Sequence, residues 1–330
     1  MSLDPHAPIG TPGQAWGAPE RAAWLAQQVR QRDYHDEVLA PLAAALPPEA
    51  ERVRYGELDH GALGQGRYAL WAVRSREWRA DRPTALVTGG VHGYETSGVQ
   101  GALQWLAQDF ARWSRQVNLL LLPCISPWGY ETINRWNPAT LDPNRQFRAD
   151  SPAPEAALAM AGVAALAPQV DLHIDLHETT DTDNSAFGPA KAARDGGAFV
   201  AHPIPDGFYL VADSERPALD FQSALIEAVR AVTHIAEPDA GVACAADATE
   251  RPLVAGGGRV ERSSAIAGAL EDERAGDFGE LALQLGEREL ERLLHFTVHG
   301  QRPAGEVATF HVTIGGVAPL GCYWQKNGAP

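Results

Sequence analysis

Val170-Asp-Leu-His-Ile-Asp-Leu-His-Glu-Thr-Thr180 is the stretch of sequence on which the fold assignment depends most. Polar and aliphatic residues alternate along it with a period of two, which is typical of a strand. The alternation places His173, Asp175 and His177 on one face, where buried polar side chains cost free energy unless they have partners. The stretch therefore predicts a core strand with a polar site, in which Asp175 accepts a hydrogen bond from a metal-bound imidazole. A buried histidine–aspartate pair without a metal is the alternative.

A second strand leads into another pair of candidate ligands. The run Thr84–Thr88 is followed by Gly89-Gly90-Val91-His92-Gly93-Tyr94-Glu95. An imidazole and a carboxylate at this spacing can converge on one cation as the backbone turns, and zinc accepts nitrogen and oxygen ligands together. On its own the pattern is weak, because His92 is also consistent with a hydrogen-bonded loop histidine. Together with His177 it predicts a metal site.

Strand-like runs alternate with helical patterns along the chain, which predicts a three-layer α/β domain with a mostly buried central sheet. Long loops are predicted at 126–150, 178–207 and 237–262, and loops that leave strand ends usually build the site in open α/β sheets. The predicted strands are Arg52–Leu58, Tyr68–Arg74, Thr84–Thr88, Val117–Ile125, Val170–Leu176, Phe208–Val211, Ser264–Leu270 and Val307–Ile314. The predicted helices are one or two between Glu20 and Leu46, then Ser97–Trp113, Pro154–Ala167, Asp220–Ile235 and Gly279–Phe296.

The predicted domain organisation is simple. Residues 1–19 are rich in proline and glycine and are predicted to form a flexible N-terminal arm. We expect residues 20–330 to form a single domain, with residues 297–330 as a C-terminal extension that packs on it.

The composition argues against several classes of function. The net charge of −15, from 27 Lys and Arg against 42 Asp and Glu, disfavours a nucleic-acid partner, because phosphate binding needs clustered cations. The cysteines are sparse and far apart, so neither a disulfide framework nor a zinc–thiolate cluster is expected. No signal peptide is visible, and no apolar stretch reaches the roughly 18 residues that span a bilayer. We therefore expect a cytoplasmic protein without a membrane partner. The sequence leaves the oligomeric state open.

A polar loop supplies a candidate site for a carboxylate. Asp142-Pro143-Asn144-Arg145-Gln146-Phe147 places a guanidinium beside a primary amide. Arginine offers a bidentate fork and asparagine one more donor, so Asn144 and Arg145 are predicted to bind a substrate carboxylate. A surface arginine in a polar loop is the alternative interpretation.

Together these motifs resemble the zinc metallocarboxypeptidase family and its relatives, the succinylglutamate desuccinylase and aspartoacylase group. The family pattern is His-x-x-Glu, then Asp-x-Asn-Arg, then a histidine that ends a strand. It is matched in that order by His92 and Glu95, by Asp142-Pro-Asn144-Arg145 and by His177, so the resemblance covers about residues 84–180 well. The resemblance implies one zinc ion (Zn2+) per chain, bound by His92, Glu95 and His177. It also implies an αβα sandwich with a mixed sheet, as in the zinc carboxypeptidases.

The resemblance further implies two catalytic side chains. An arginine between the first two motifs should polarise the scissile carbonyl, and Arg135 is the candidate, with a solvent-exposed loop residue as the alternative. A glutamate at the end of a late strand should act as general base toward metal-activated water and as acid toward the leaving nitrogen. Glu271 fits that position, and Glu273, Glu250 and Glu280 are its rivals. Acidic residues near a helix start also have an ordinary role against the helix dipole.

Two departures from the peptidase pattern bear on the substrate. There is no Tyr between residues 237 and 270, where the carboxypeptidases have one, and Glu178-Thr-Thr180 is closer to the aspartoacylase relatives. We expect a zinc-dependent, carboxypeptidase-like hydrolase that cleaves an amide or peptide bond beside a free carboxylate. The alternatives are an N-acyl amino acid amidohydrolase of the desuccinylase and aspartoacylase type, and an inactive binding protein on the same scaffold. The expected partner is accordingly a peptide or an N-acyl amino acid.

Overall fold

The computed structural model of the chain describes residues 9–178, 182–201, 208–210, 219–230, 235–236, 296–301, 307–314 and 319–325. The loop predicted at 237–262, the strand predicted at Ser264–Leu270 and all but the last residue of the helix predicted at Gly279–Phe296 lie outside these ranges. So do Glu271 and its rivals Glu273, Glu250 and Glu280.

The site-bearing sheet is mixed and, within the described residues, has five strands. They are β1 (Ala50–Asp59), β2 (Arg67–Ser75), β3 (Thr84–Gly89), β4 (Asn118–Leu122) and β5 (Leu172–Leu176). Their order across the sheet is β1-β2-β4-β3-β5. β1 and β2 form an antiparallel hairpin, β2 is antiparallel to β4, and β3 lies parallel between β4 and β5. The carboxyl ends of β3 and β5 are therefore neighbours, and both predicted ligand motifs begin there.

Helices cover both faces of this sheet. Their bounds are α1 (Ala18–Gln27), α2 (Ala40–Ala45), α3 (Thr96–Gln108), α4 (Phe110–Trp113), α5 (Pro127–Thr132), α6 (Pro154–Leu166), α7 (Gly188–Asp195) and α8 (Leu219–Arg230). Two π-helical turns precede α2 and α7, at His35–Leu39 and Asp183–Phe187.

Side-chain alternation along β4 explains the three layers. Leu119 and Leu121 point into a core formed with α2, α3 and α4, whereas Leu120 and Leu122 point into a second core formed with α6. Every residue of β4 is buried, as expected of a central strand covered on both faces. The predicted α/β class, with three layers and a mixed, mostly buried sheet, is confirmed for this part of the chain.

The predicted loops contain helices that the sequence analysis missed. Residues 126–150 begin with α5, which starts at Pro127, a favourable first helical residue because its missing N–H needs no partner there. The helix ends at Ile133, whose φ of 54° is left-handed. Residues 178–207 contain α7 together with the π-helical turn before it. The prediction of uninterrupted loops was therefore wrong in these two places.

Other boundaries differ in smaller ways. The helix predicted at Ser97–Trp113 is divided into α3 and α4 at Asp109, whose φ of −127° is not helical. Of the strand predicted at Phe208–Val211, residues 208–210 are described, and Phe208 forms a bridge with Ile235. The strand predicted at Val307–Ile314 has those bounds and is β7, paired antiparallel with β6 (Phe296–Gln301) and β8 (Pro319–Gln325), which were not predicted.

The described part of the predicted N-terminal arm, residues 9–19, packs on the domain. Trp16 is buried against Trp136 with ring centroids 6.1 Å apart, and its backbone N–H donates to the carbonyl of Arg194 over 2.8 Å. Pro19 falls in the first turn of α1 rather than in a loop. None of the helices in the described ranges combines the length and apolar character needed to cross a bilayer.

Candidate metal centre

Two adjacent parallel strands place the predicted ligands at one edge of the sheet. His92 and Glu95 lie in the short connection between β3 and α3, and His177 follows β5 directly. The connection packs closely on α5, since a Cβ atom added to Gly93 would lie 2.0 Å from the backbone nitrogen of Tyr130. Only glycine allows the two backbones to approach in this way. The sequence His-Gly-Tyr-Glu therefore fixes the path that brings both side chains toward β5.

The three predicted ligands converge. Nδ1 of His92 lies 2.7 Å from Oε1 of Glu95, and Nδ1 of His177 lies 2.7 Å from Oε2 of the same carboxylate. One donor atom from each of the three residues lies within 4.8 Å of the others. Only 2% of the His92 side chain and 3% of the Glu95 side chain are exposed, against 31% for His177, so the cluster opens to solvent on the His177 side.

Each imidazole is bound on its far side by another carboxylate. Nε2 of His92 lies 3.0 Å from Oδ1 of Asp142, and Nε2 of His177 lies 2.8 Å from Oδ2 of Asp175. Carboxylates in this position fix the orientation and the tautomer of metal-binding histidines. Asp175 was predicted in this role from its place on the strand. Asp142 was not, although it is part of the Asp-x-Asn-Arg motif that the sequence analysis used.

Charge is concentrated in this cluster. Burial alone would raise the pKa of Glu95, but the imidazoles of His92 and His177 outweigh it and hold that pKa well below the usual range. Burial is likewise outweighed at Asp142, where His92, Arg135 and Arg145 hold the carboxyl pKa far below its ordinary value. At His177 burial opposes protonation, yet the carboxylates of Asp175 and Glu95 raise the pKa well above the usual value.

The donor set fits a zinc ion. A neutral imidazole has one N–H, and if Nε2 donates it to Asp142 or Asp175, the lone pair of Nδ1 faces the Glu95 carboxylate. Such an arrangement is unfavourable unless a proton or a cation lies between the two acceptors. Two imidazole nitrogens, one carboxylate and an open side are the ligand pattern of a catalytic zinc site.

Arg135 lies beside the proposed ligands. Its Nε donates to Oδ2 of Asp142 over 3.1 Å and its Nη1 donates to the hydroxyl of Tyr94 over 3.0 Å. The same Nη1 lies 3.7 Å from Oε1 of Glu95 and 3.6 Å from Oδ1 of Asp183. Burial lowers the pKa of this guanidinium, but Tyr94, Asp142 and Glu95 together raise it above its ordinary value. Arg135 is thus a charged, hydrogen-bonded and mostly buried neighbour of the cluster, and the solvent-exposed alternative does not apply.

Asn144 and Arg145 follow Asp142 in a short 3-10 turn, Pro143–Arg145. The backbone N–H of Asn144 donates to Oδ1 of Asp142 over 3.0 Å, the same oxygen that faces His92. The side-chain oxygen of Asn144 is buried and, among the described residues, has no hydrogen-bond partner. Both predicted anchor residues are therefore adjacent in space to the carboxylate behind His92.

The loop that carries these residues is anchored from outside the cluster. The side-chain amide of Asn137 donates to Oε2 of buried Glu155 over 2.9 Å, and its oxygen accepts from the backbone N–H groups of Ala139 and Leu141. No local pattern in the sequence signals this contact between the loop and α6.

Glu178 is a further polar residue of the cluster that the sequence analysis did not assign. Its backbone N–H donates to Oε2 of Glu95 over 3.2 Å, and its carboxylate accepts from both the backbone N–H and the hydroxyl of Ser97. Burial raises the pKa of Glu178. The residue thus links the end of β5 to the first turn of α3, next to the proposed ligand Glu95.

Residues 81–195 match the family model of the succinylglutamate desuccinylase/aspartoacylase catalytic domain. The resemblance expected from the motifs is confirmed for this segment, which holds His92, Glu95, Arg135, Asn144, Arg145 and His177.

Solved structures with distant similarity include a metallo-carboxypeptidase from Pseudomonas aeruginosa in complex with (2-guanidinoethylmercapto)succinic acid. It is 16% identical, with 74% of this chain and 58% of that chain covered and a TM-score of 0.46. A metallo-carboxypeptidase from Burkholderia cenocepacia is 19% identical over 62% of this chain and 51% of that chain, with a TM-score of 0.41. An aspartoacylase family protein from Mesorhizobium loti is 20% identical over 46% of this chain and 44% of that chain, with a TM-score of 0.31.

The chain spans less than two thirds of the length of each of these three proteins. No protein of curated function matches the chain.

Proposed function

We propose that the protein is a zinc-dependent hydrolase that cleaves an amide bond beside a free carboxylate. The observation that carries the proposal is the arrangement of His92 and His177 around Glu95, with a carboxylate behind each imidazole. Zinc, when bound, supplies the Lewis acidity that activates water and polarises a carbonyl. His92, Glu95 and His177 would hold the ion, and His177 is the most exposed of the three.

The remaining site residues have complementary roles in this proposal. Arg145 and Asn144 bind the substrate carboxylate through the guanidinium fork and the amide. Arg135 stabilises negative charge that develops on the carbonyl oxygen, because its guanidinium lies next to Glu95 and is buried and charged. Glu271 accepts the proton of the attacking water and delivers it to the leaving nitrogen.

The preferred substrate class is an N-acyl amino acid, the alternative that the sequence analysis ranked second. The family match over residues 81–195 is to desuccinylases and aspartoacylases, and Glu178-Thr-Thr180 agrees with those relatives. Cleavage of a C-terminal residue from a peptide is the second candidate. A cytoplasmic location remains a prediction from the sequence.

Metal content and kinetics test the proposal together. Protein purified without added metal should contain about one zinc per chain, and His177→Ala should lose it. His35→Ala is the control, because His35 belongs with Asp33 and Asp36 to another group of the described residues that could hold a metal, and an unchanged zinc content would show that the zinc does not bind there. Wild-type protein without zinc, even after dialysis against zinc, would contradict the proposal.

Substrate class is tested with zinc-loaded protein. N-acetyl- or N-succinyl-glutamate should be hydrolysed faster than a blocked dipeptide, and a faster rate on the dipeptide would favour the carboxypeptidase. Glu271→Gln should abolish turnover while Glu273→Gln, Glu250→Gln and Glu280→Gln retain it. If zinc-loaded wild type binds these substrates but turns none over, the inactive binding protein is the correct description.

A further inference from the structure

A line of hydrogen bonds extends from His177 away from the proposed metal position into the sheet. Asp175 uses both carboxylate oxygens: Oδ2 contacts Nε2 of His177 at 2.8 Å, and Oδ1 accepts from the hydroxyl of Thr88 over 2.6 Å. The same hydroxyl lies 2.8 Å from Nε2 of His173. The parallel register explains the geometry, because Thr88 of β3 is directly opposite Asp175 of β5.

Counting protons fixes the direction of these bonds. A carboxylate only accepts, so the single hydroxyl proton of Thr88 goes to Asp175. In the hydrogen bond between Thr88 and His173, Nε2–H of His173 must then be the donor and the Thr88 hydroxyl oxygen the acceptor. Burial lowers the pKa of His173, which agrees with a neutral ring. Its Nδ1 is then a lone-pair acceptor, and this atom is buried without a hydrogen-bond partner among the described residues.

The same reasoning applies to His177, one of the three proposed metal ligands. With Oδ1 fixed by Thr88, the Asp175 carboxylate has one orientation in which Oδ2 accepts from Nε2–H of His177. In the neutral ring that would bind a metal, that bond holds the single proton on Nε2 and leaves the lone pair of Nδ1, which faces Glu95, for the cation. Thr88 is fully buried, so no water competes for its hydroxyl.

We infer that Thr88 and His173 are positioning residues that set the metal affinity of the site through Asp175 and His177. The inference rests on the proposed zinc site. Neither residue contacts the ligand position itself, and both act by holding the second carboxylate in the orientation that selects the His177 tautomer.

Thr88→Val is the test, because it replaces the hydroxyl with a methyl group of similar volume. Zinc dissociation constants, measured by competition with a chelator, should rise about tenfold, the lower end of the effect of removing a partner behind a metal ligand. Thr88→Ser keeps the hydroxyl and should bind zinc as wild type does. Thr84→Val removes a buried hydroxyl at the other end of the same strand and should leave the affinity unchanged.

His173 is tested by a pair of variants. His173→Gln retains an N–H donor near the position of Nε2 and should keep most of the zinc affinity. His173→Leu has no such donor, and its zinc dissociation constant should rise about tenfold, as in Thr88→Val. The absorption spectrum of the cobalt-substituted protein should shift in Thr88→Val and His173→Leu but not in Thr88→Ser or His173→Gln.

Nitrogen NMR of the wild-type protein gives a readout that requires no variant to fold. His173 should be neutral with its proton on Nε2, and a proton on Nδ1 would overturn the inference. Zinc binding by Thr88→Val with wild-type affinity would also overturn it while leaving the proposed hydrolase intact. Failure of the wild type to bind zinc at all would overturn both.

Discussion

Gly93 separates the two proposed ligands of the first motif, and its lack of a side chain is required by its neighbours. An added Cβ atom would lie 2.0 Å from the nitrogen of Tyr130 and 2.1 Å from the carbonyl carbon of Gly129. Both contacts are with backbone, which cannot move aside as the end of a flexible side chain can. The loop between β3 and α3 would have to shift away from α5, and His92 would move with it.

We expect Gly93→Ala to lower the free energy of unfolding by about 2–4 kcal/mol and to abolish stoichiometric zinc binding. Denaturant titration and elemental analysis measure the two effects. Gly197→Ala is the control, since its added Cβ would meet nothing closer than 3.9 Å and should be tolerated. Stable, zinc-replete Gly93→Ala protein would show that the loop path is not constrained in this way.

Asp142 is the residue with the most roles in the cluster. It contacts His92, accepts from Arg135 and accepts the backbone N–H of Asn144. We expect Asp142→Asn to weaken zinc binding by about 10- to 100-fold, because the amide no longer fixes the His92 tautomer as a carboxylate does. Chelator competition measures the change. Asp81→Asn, at an exposed site with 68% of the side chain accessible, should have no effect.

Asp109 divides the helix that the sequence predicted as continuous from Ser97 to Trp113. It is buried, and among the described residues its Oδ2 has no hydrogen-bond partner. Burial raises the pKa of this carboxyl from 3.8 to about 7, with Arg112 opposing. Between these two values the folded protein binds more protons than the unfolded chain, so this group makes stability fall as pH rises.

We therefore expect the stabilising contribution of protonated Asp109 to be complete below pH 3.8 and to be lost as pH rises through about 7. Asp109→Asn should remove that dependence and be more stable than wild type at pH 8 by about 1–3 kcal/mol, the cost of a buried polar group without a partner. Denaturant unfolding from pH 5 to pH 8 measures this difference. A constant difference across the range would contradict the assignment.

The elements that the sequence predicted well are those whose residues are determined by local hydrophobic pattern. β5 was recognised from its alternation and β3 as a short strand-like run, and the two ligand motifs lie at the ends of these strands. The α5 and α7 helices were missed because Pro and Gly within residues 126–150 and 178–207 indicate loops in the absence of tertiary contacts. The breaks at Asp109 and Ile133 are set by backbone angles that the sequence does not signal.

The site was predictable where a motif is contiguous and less so where it depends on packing between distant segments. His92 and Glu95 were candidates from their spacing and His177 from the alternation of its strand, and the family resemblance joined the three. The bond between His92 and Asp142 requires the loop after α5 to reach β3, and that loop is positioned by the contact of Asn137 with Glu155. The surroundings of Arg135 likewise combine Tyr94 and Asp183, which are 89 residues apart. Such contacts belong to the folded chain and not to any local pattern.

At the scale of the whole molecule, zinc should contribute to stability as a ligand of the native state only. At a free zinc concentration about 100 times the dissociation constant, zinc binding should raise the free energy of unfolding by about 2.7 kcal/mol. We expect chelation to lower the Tm by about 5 °C and added zinc to restore it. Calorimetry measures both, and His177→Ala should show no response to zinc. A Tm in wild type that does not depend on zinc would argue against a site that closes only in the folded protein.

The distance along the chain between the proposed ligands has a consequence for the order of folding. His177 and Glu95 are 82 residues apart, and they meet only after β5 has paired in parallel with β3. The β1–β2 hairpin needs no such long-range closure and can form early, whereas parallel pairing over a long segment is slow. Complete coordination by the three residues is therefore a late event in folding, and zinc binding would report that β3 and β5 have already paired.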